Sequence, residues 1–361
     1  MTSKERFLAA AHHTTPDRVP INICLTHAAA KPLAAKLGVS VGRPLADKLG
    51  CDFAYIGPDF RRRASRTAYA DPTVEVTPEG YLVDIWGVPF RTAQTQFQQY
   101  VEPAGHPPLA DLESVEQLDD YPWPSLDDWD FSGLDERLDA ERDMVTWSHS
   151  RGMFEIAHFM RGMEGFLTDL ALRPELAGAL MDRICEALLT KARRTLELGQ
   201  GRFVMFEYND DVATQRGLIV SPGMWREHIK PRMAAFCELF HSHGALVRYH
   251  CCGSCYAIID DLIDIGVDIL NPVQPLATNM DPLALKAQFG DRLSFDGGID
   301  IQQLLPNASA DEVREHTRRV CDVVGAGGGY IMGGSHYIQG DTPPENILAM
   351  VEAVTGRTPT A

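Results

Sequence analysis

The 361-residue chain is predicted to be an α/β protein of the (β/α)₈ TIM-barrel class. Three observations predict it: eight short β-type runs, 3.6-residue periodicity in most segments between them, and no linker-like composition shift that would divide the chain. Residues 1–361 are therefore expected to form one domain. The runs are Val19 to Leu25, Asp52 to Ile56, Met144 to His149, Arg202 to Tyr208, Leu246 to His250, Asp268 to Asn271, Leu293 to Phe295 and Gly329 to Met332. Between the third and fourth, apolar residues recur on one helical face through Phe166, Leu167, Leu170, Leu176, Leu180 and Ile184. Pro174-Glu175 supplies a helix start there, because proline suits a first turn. An open doubly wound sheet is the alternative, but no Gly-x-Gly-x-x-Gly follows the first run, and Gly327-Gly328-Gly329 precedes a strand instead of opening a helix.

Residues 70–100 break the alternation. Val74-Glu75-Val76 and Tyr81-Leu82-Val83-Asp84, joined by Pro78-Glu79-Gly80, predict an antiparallel hairpin excursion in the long second βα connection. The Pro-rich, acidic stretch from Pro107 to Asp130 is a second irregular part of that connection.

The formal net charge of −17, with a pI near 5.1, argues against general binding to nucleic acid or a membrane surface, which needs a cationic face. Mean hydropathy is −0.16 and no continuous apolar stretch is long enough for a membrane span. Met1-Thr2-Ser3-Lys4-Glu5-Arg6 carries no apolar signal core, so a cytoplasmic location is expected. The eight cysteines are scattered through the chain, which suits thiols or metal ligands in a reducing compartment better than a disulfide scaffold.

The densest chemistry lies in Tyr249-His250-Cys251-Cys252-Gly253-Ser254-Cys255. His-x-Cys at a strand end turns both donors to one side, as a soft metal such as zinc requires. A second Cys pair is missing, so the remaining ligands must come from elsewhere in the fold; the alternative is cysteines packed as small apolar groups. Within the cluster Cys251 is expected to point away and Cys255 to lie in the turn.

Chemistry in such a barrel gathers at the C-terminal strand ends. Glu207 and Asp211, in Glu207-Tyr208-Asn209-Asp210-Asp211, are candidates for acid–base work, and Glu207 also for metal ligation; solvated helix-capping carboxylates are the alternative. His336, after Gly333-Gly334-Ser335, is a candidate for both roles. His149, Asn271, Gln274, Asp296 and Ser335 stand at the same rim as substrate-binding candidates.

His250-x-Cys252-Gly253, Asp268 through Pro275, Phe295-Asp296-Gly297-Gly298-Ile299-Asp300, and Ser335-His336 with Asp341 through Asn346 follow one another in an order that resembles the uroporphyrinogen decarboxylase superfamily. The resemblance runs through most of the chain and implies a (β/α)₈ barrel with one of two chemistries. One branch decarboxylates uroporphyrinogen III without metal. The other contains corrinoid-linked methyltransferases, in which zinc held by His-x-Cys and a later Cys activates the methyl acceptor. The arginine-rich N-terminal segment of the decarboxylases is absent here, since Arg18 is followed by Val19-Pro20-Ile21-Asn22-Ile23-Cys24-Leu25-Thr26-His27-Ala28. A tetrapyrrole with eight carboxylates would need such cations.

The methyltransferase branch is the nearer match. His250 and Cys252 correspond to its first two zinc ligands, the late Cys is replaced by Gly333-Gly334-Ser335-His336, and Glu207 and His336 become the replacement candidates, ahead of Cys255 and Cys251. The resemblance thus implies a zinc-dependent enzyme working with a corrinoid (cobalamin) on a small-molecule methyl donor or acceptor. No Asp-x-His-x-x-Gly pattern of a corrinoid-binding domain occurs, so the corrinoid is expected on a separate partner protein. The sequence leaves the oligomeric state open, a homodimer being one possible assembly since exposed barrel helices commonly support dimers, and a tetrapyrrole carboxy-lyase is the alternative activity.

Overall fold

The computed structural model describes residues 1–60, 79–97 and 99–360. It shows an α/β fold built on a curled parallel sheet of seven strands: β1 (Phe53–Tyr55), β2 (Val145–Arg151), β3 (Met205–Asn209), β4 (Leu246–His250), β5 (Ile269–Val273), β6 (Ser294–Ile299) and β7 (Tyr330–Gly334), adjacent in that order. The first predicted run completes the ring by bridges instead of a continuous ladder. Ile21 pairs with Met332 and Leu25 with Ile338, while on the other side Asp52 N–H donates to Ile21 O at 2.9 Å. Pro20 lacks an N–H, which interrupts the ladder at that point. The arrangement is TIM-barrel-like.

Most strand limits agree with the sequence to within a few residues, and the exceptions have local causes. Residues 202–204 form the exit from helix α2 (Pro174–Gly199), with Arg202 N–H donating to Gly199 O, so β3 starts at Met205. Strand β6 runs on to Ile299 because Gly297 and Gly298 keep it extended at positive φ. At Gly297 a Cβ would stand 3.1 Å from Val273 N and 3.3 Å from Gly334 O, so only glycine lets the neighbouring strands approach.

Between β1 and β2 an antiparallel unit joins Leu82–Val83 to Pro89–Gln94 and the latter to Gln99–Pro103. Its first turn is fixed by Asp84 Oδ1, which accepts from the N–H groups of Trp86 and Val88. The predicted pairing of Val74–Val76 with Tyr81–Asp84 lies partly outside the described residues.

Helix α1 (Ser3–Ala11) starts in a Thr2/Glu5 capping box and presses Phe7 and Ala11 onto the lumen residues Val145, Met205, Ile269 and Ile331. Asp52, fully buried, receives Arg6, Arg18, Ser3 Oγ and Ile21 N–H, which pins this helix to the sheet. The lower lumen is thereby largely apolar, with Ser294 Oγ donating to Ala11 O, and Glu207, Arg248 and Asp296 lie above it. Outside the sheet, α2 buries Leu176, Leu180, Ile184 and Leu188 along one face. No helix among the described residues is long and apolar enough to cross a membrane.

Candidate metal centre

Strand alternation sorts the site before any ligand is considered. On β4, Val247 and Tyr249 are buried outward, Tyr249 stacking on Tyr208 at 6.3 Å between ring centroids, while Arg248 and His250 point into the lumen. Beyond the strand the chain turns through Gly253 at φ +88°, where a Cβ would meet Thr214 O at 2.3 Å. Three backbone bonds fix this turn. Cys252 N–H donates to Asp211 Oδ1 at 2.7 Å, Gly253 N–H to Gln274 Oε1 at 2.9 Å, and Ser254 N–H to Thr214 O at 2.8 Å.

The result brings donor atoms of His250, Cys252 and His336 within 4.8 Å of one another. His250 Nε2 lies 3.6 Å from Cys252 Sγ, and its Nδ1 lies 2.7 Å from Asn271 Oδ1. An amide oxygen at that distance takes Nδ1–H, which leaves the Nε2 lone pair facing the thiol. Burial, and then the neighbouring His250, pushes His336 down to about 4, so it is a neutral donor at pH 7. Burial and then the Asp211 carboxylate push the Cys252 thiol well up. A cation beside the sulfur reverses that balance, because it stabilises the thiolate directly.

Beneath these donors a cavity of about 530 Å³, counted to its open mouth, is lined in part by Asn22, Cys24, Trp147, Glu207, Arg248 and Asp296. Its floor is ionic. Arg248, 3% exposed, sets Nη1 2.8 Å from Asp296 Oδ2 and Nε 2.7 Å from Glu207 Oε2. Asn22 Nδ2 adds a second bond to Asp296 at 2.9 Å. Arg248 holds the Glu207 carboxyl below its ordinary value against the opposing effect of burial, whereas burial outweighs Arg248 at Asp296 and raises it.

The other sequence candidates are distributed as follows. Glu207 stands at the ionic floor, apart from the three clustered donors. Asp211 and Gln274 hold the Cys252 turn through their side-chain oxygens. Asn271 backs His250, and Asp296 is paired below it. Ser335 is buried with its N–H on Ile299 O. His149 packs against Tyr55 with 5.4 Å between ring centroids and is pushed down to about 3, first by burial and then by Lys191. Cys251 and Cys255 are fully buried and stand outside the donor cluster.

Sequence reasoning missed Asn22, Cys24, Trp147 and Arg248. The signal was alternation: Asn22 and Cys24 interrupt an apolar first strand at every second residue, and Arg248 is a charge inside Leu246-Val247-Arg248-Tyr249. A cation in a strand with no exposed face needs buried acids as partners.

The model of the family described as Uroporphyrinogen decarboxylase (URO-D) matches residues 132–357. A curated uroporphyrinogen decarboxylase from Methylibium petroleiphilum is 29% identical over 99 residues, which is 27% of this chain and 25% of that protein's length. Among solved structures, a methyltransferase from Methanosarcina mazei superposes with a TM-score of 0.68 at 18% identity, covering 98% of each chain. At that identity the structural likeness establishes the shared fold.

Proposed function

The chain belongs to the uroporphyrinogen decarboxylase family, and from that premise we propose that it is a zinc-dependent methyltransferase-like enzyme. It would move a methyl group between a corrinoid (methylcobalamin) carrier and a small-molecule acceptor or methoxy donor. Residues 1–361 would act as one cytoplasmic domain, with the corrinoid brought by a separate protein and no role for nucleic acid or membrane.

The observation that carries this reading is the convergence of His250, Cys252 and His336. Two imidazoles and one thiol suit zinc, and three protein donors leave the fourth position for a substrate atom. Zinc held there would lower the pKa of the methyl acceptor, or stabilise the oxygen leaving from a methoxy group.

The remaining steps belong to side chains. Asn271 orients His250, and Asp211 with Gln274 fixes the turn that carries Cys252. Glu207 lines the same cavity and would accept or return a proton. The apolar lower lumen excludes water from beneath the reacting atoms.

Metal-free tetrapyrrole decarboxylation is the weaker reading. Among the described lining residues Arg248 alone is a Lys or Arg, and Glu207 and Asp296 already engage it. Untagged protein should carry about one zinc per chain, and Cys252→Ser should lose most of it. Full zinc retention after changing both His250 and Cys252 would discard the proposal, as would conversion of uroporphyrinogen to coproporphyrin at a rate untouched by chelators.

A further inference from the structure

Three loops that follow neighbouring strands meet behind Cys252, and one exposed side chain fixes how they meet. Gln274, buried just after β5, accepts the Gly253 N–H on its Oε1 at 2.9 Å. A backbone N–H only donates, so the carboxamide atom facing it is the oxygen. Gln215 reaches the same oxygen at 2.6 Å, and the atom it presents is therefore its amide nitrogen. With Oε1 holding both donors, the NH₂ group of Gln274 is left for the Cys252 sulfur, to which that side chain hydrogen-bonds.

Gln215 stands at the tip of a short antiparallel hairpin that pairs Ala213–Thr214 with Gly217–Leu218. Its carbonyl accepts from Thr278 N–H at 3.0 Å, while Thr214 O accepts from Ser254 N–H at 2.8 Å. The hairpin is thus tied to the loops after β4 and β5 on both sides of the side chain. Gln215 is exposed and belongs to no part of the hydrophobic core, so its one long-range side-chain contact is the bond to Gln274.

From this chain of contacts we infer that Gln215 is a positioning residue of the metal centre. Its NH₂ group fixes the rotation of the Gln274 carboxamide, so that the oxygen holds the turn and the nitrogen faces the Cys252 ligand atom. This role deepens the zinc reading above and rests on it for its consequence, metal affinity. Without the Gln215 donor, Gln274 loses one of the two bonds that keep its carboxamide from turning over and setting an oxygen lone pair against the sulfur. Hydrogen-bond partners of ligand atoms orient those ligands and tune the metal they hold.

Gln215→Met keeps the length of the side chain and removes its donor, whereas Gln215→Lys keeps the length and supplies a donor. Zinc affinity of the untagged full chain is measured by competition with a chromophoric chelator. Gln215→Met should weaken it about three- to ten-fold, the scale of one hydrogen bond, and Gln215→Lys should recover most of that loss. Gln274→Met should weaken it about 10- to 100-fold. Adding Gln215→Met on that background should cost less than about two-fold more, because both residues act through one contact. In the chelator-treated chain, hydrogen exchange of the Gly253 amide should quicken about three- to ten-fold in Gln215→Met. The urea midpoint of that variant should stay with the unaltered chain, which separates lost position from general destabilisation.

Unchanged zinc affinity in Gln215→Met, no recovery in Gln215→Lys, fully additive losses in the double variant, or unchanged exchange at Gly253 would each overturn the inference. If the unaltered chain binds no zinc while Gly253 exchange still quickens in Gln215→Met and slows again in Gln215→Lys, the positioning of the turn stands and the metal reading alone fails.

Discussion

The side-chain oxygen of Asn271 lies 2.7 Å from Nδ1 of His250, and this contact sets which imidazole nitrogen is free for a metal. The two residues are directly paired in register on adjacent parallel strands. Replacing Asn271 by alanine frees the ring to rotate and to exchange tautomers. Zinc affinity of Asn271→Ala should fall about 10- to 100-fold, measured by competition with a chromophoric chelator. Unchanged affinity would show that the ring is held by other contacts.

Gly253 carries a comparable demand on the backbone. Its φ of +88° and the 2.3 Å approach that a Cβ would make to Thr214 O leave no room for a side chain. Gly253→Ala should therefore displace the turn that holds Cys252, with loss of zinc binding at least as large as in Asn271→Ala. A variant crystal structure with Cys252 Sγ unmoved would contradict the argument.

Arg248 should matter more to stability than any surface arginine. Arg248→Met leaves Glu207 and Asp296 facing each other without a cation, and breaking a buried ion cluster in this way costs about 3–5 kcal/mol. A lowered urea midpoint, partly restored by also changing Glu207 to Gln, is the expected result. Unfolding at the unaltered midpoint would mean that water already neutralises the cluster.

His149 makes stability depend on pH. Burial, reinforced by Lys191, holds it at about 3, whereas the unfolded chain titrates near the ordinary value of about 6.5. Below that ordinary value the unfolded state binds more protons than the folded one, so stability falls as pH falls. The contribution is complete above about 6.5 and is lost progressively toward about 3. The thermal midpoint of His149→Asn should accordingly drop less steeply between pH 7 and pH 5 than that of the unaltered chain. Parallel curves would remove His149 as the source.

Local sequence carried much of this protein's description because its signals are short-range. Leu246 to His250 is legible as a strand since each residue's side follows from period-two alternation, and the same alternation places His250 inward and Tyr249 outward. His-x-Cys, the glycines around it and the ordered motifs of the second half are likewise contiguous, so the family and the barrel class could be derived from them. What the tertiary structure decided were the partnerships. Glu207 stands opposite Arg248 because β3 and β4 pair in that register, while His336 reaches His250 because the ring curls far enough to bring the loop after β7 over the lumen. Asp296 completes the ionic floor from a third strand. Cross-strand register and closure are collective properties of the packed sheet, so no local run could say which carboxylate would be paired across strands and which would hold a turn.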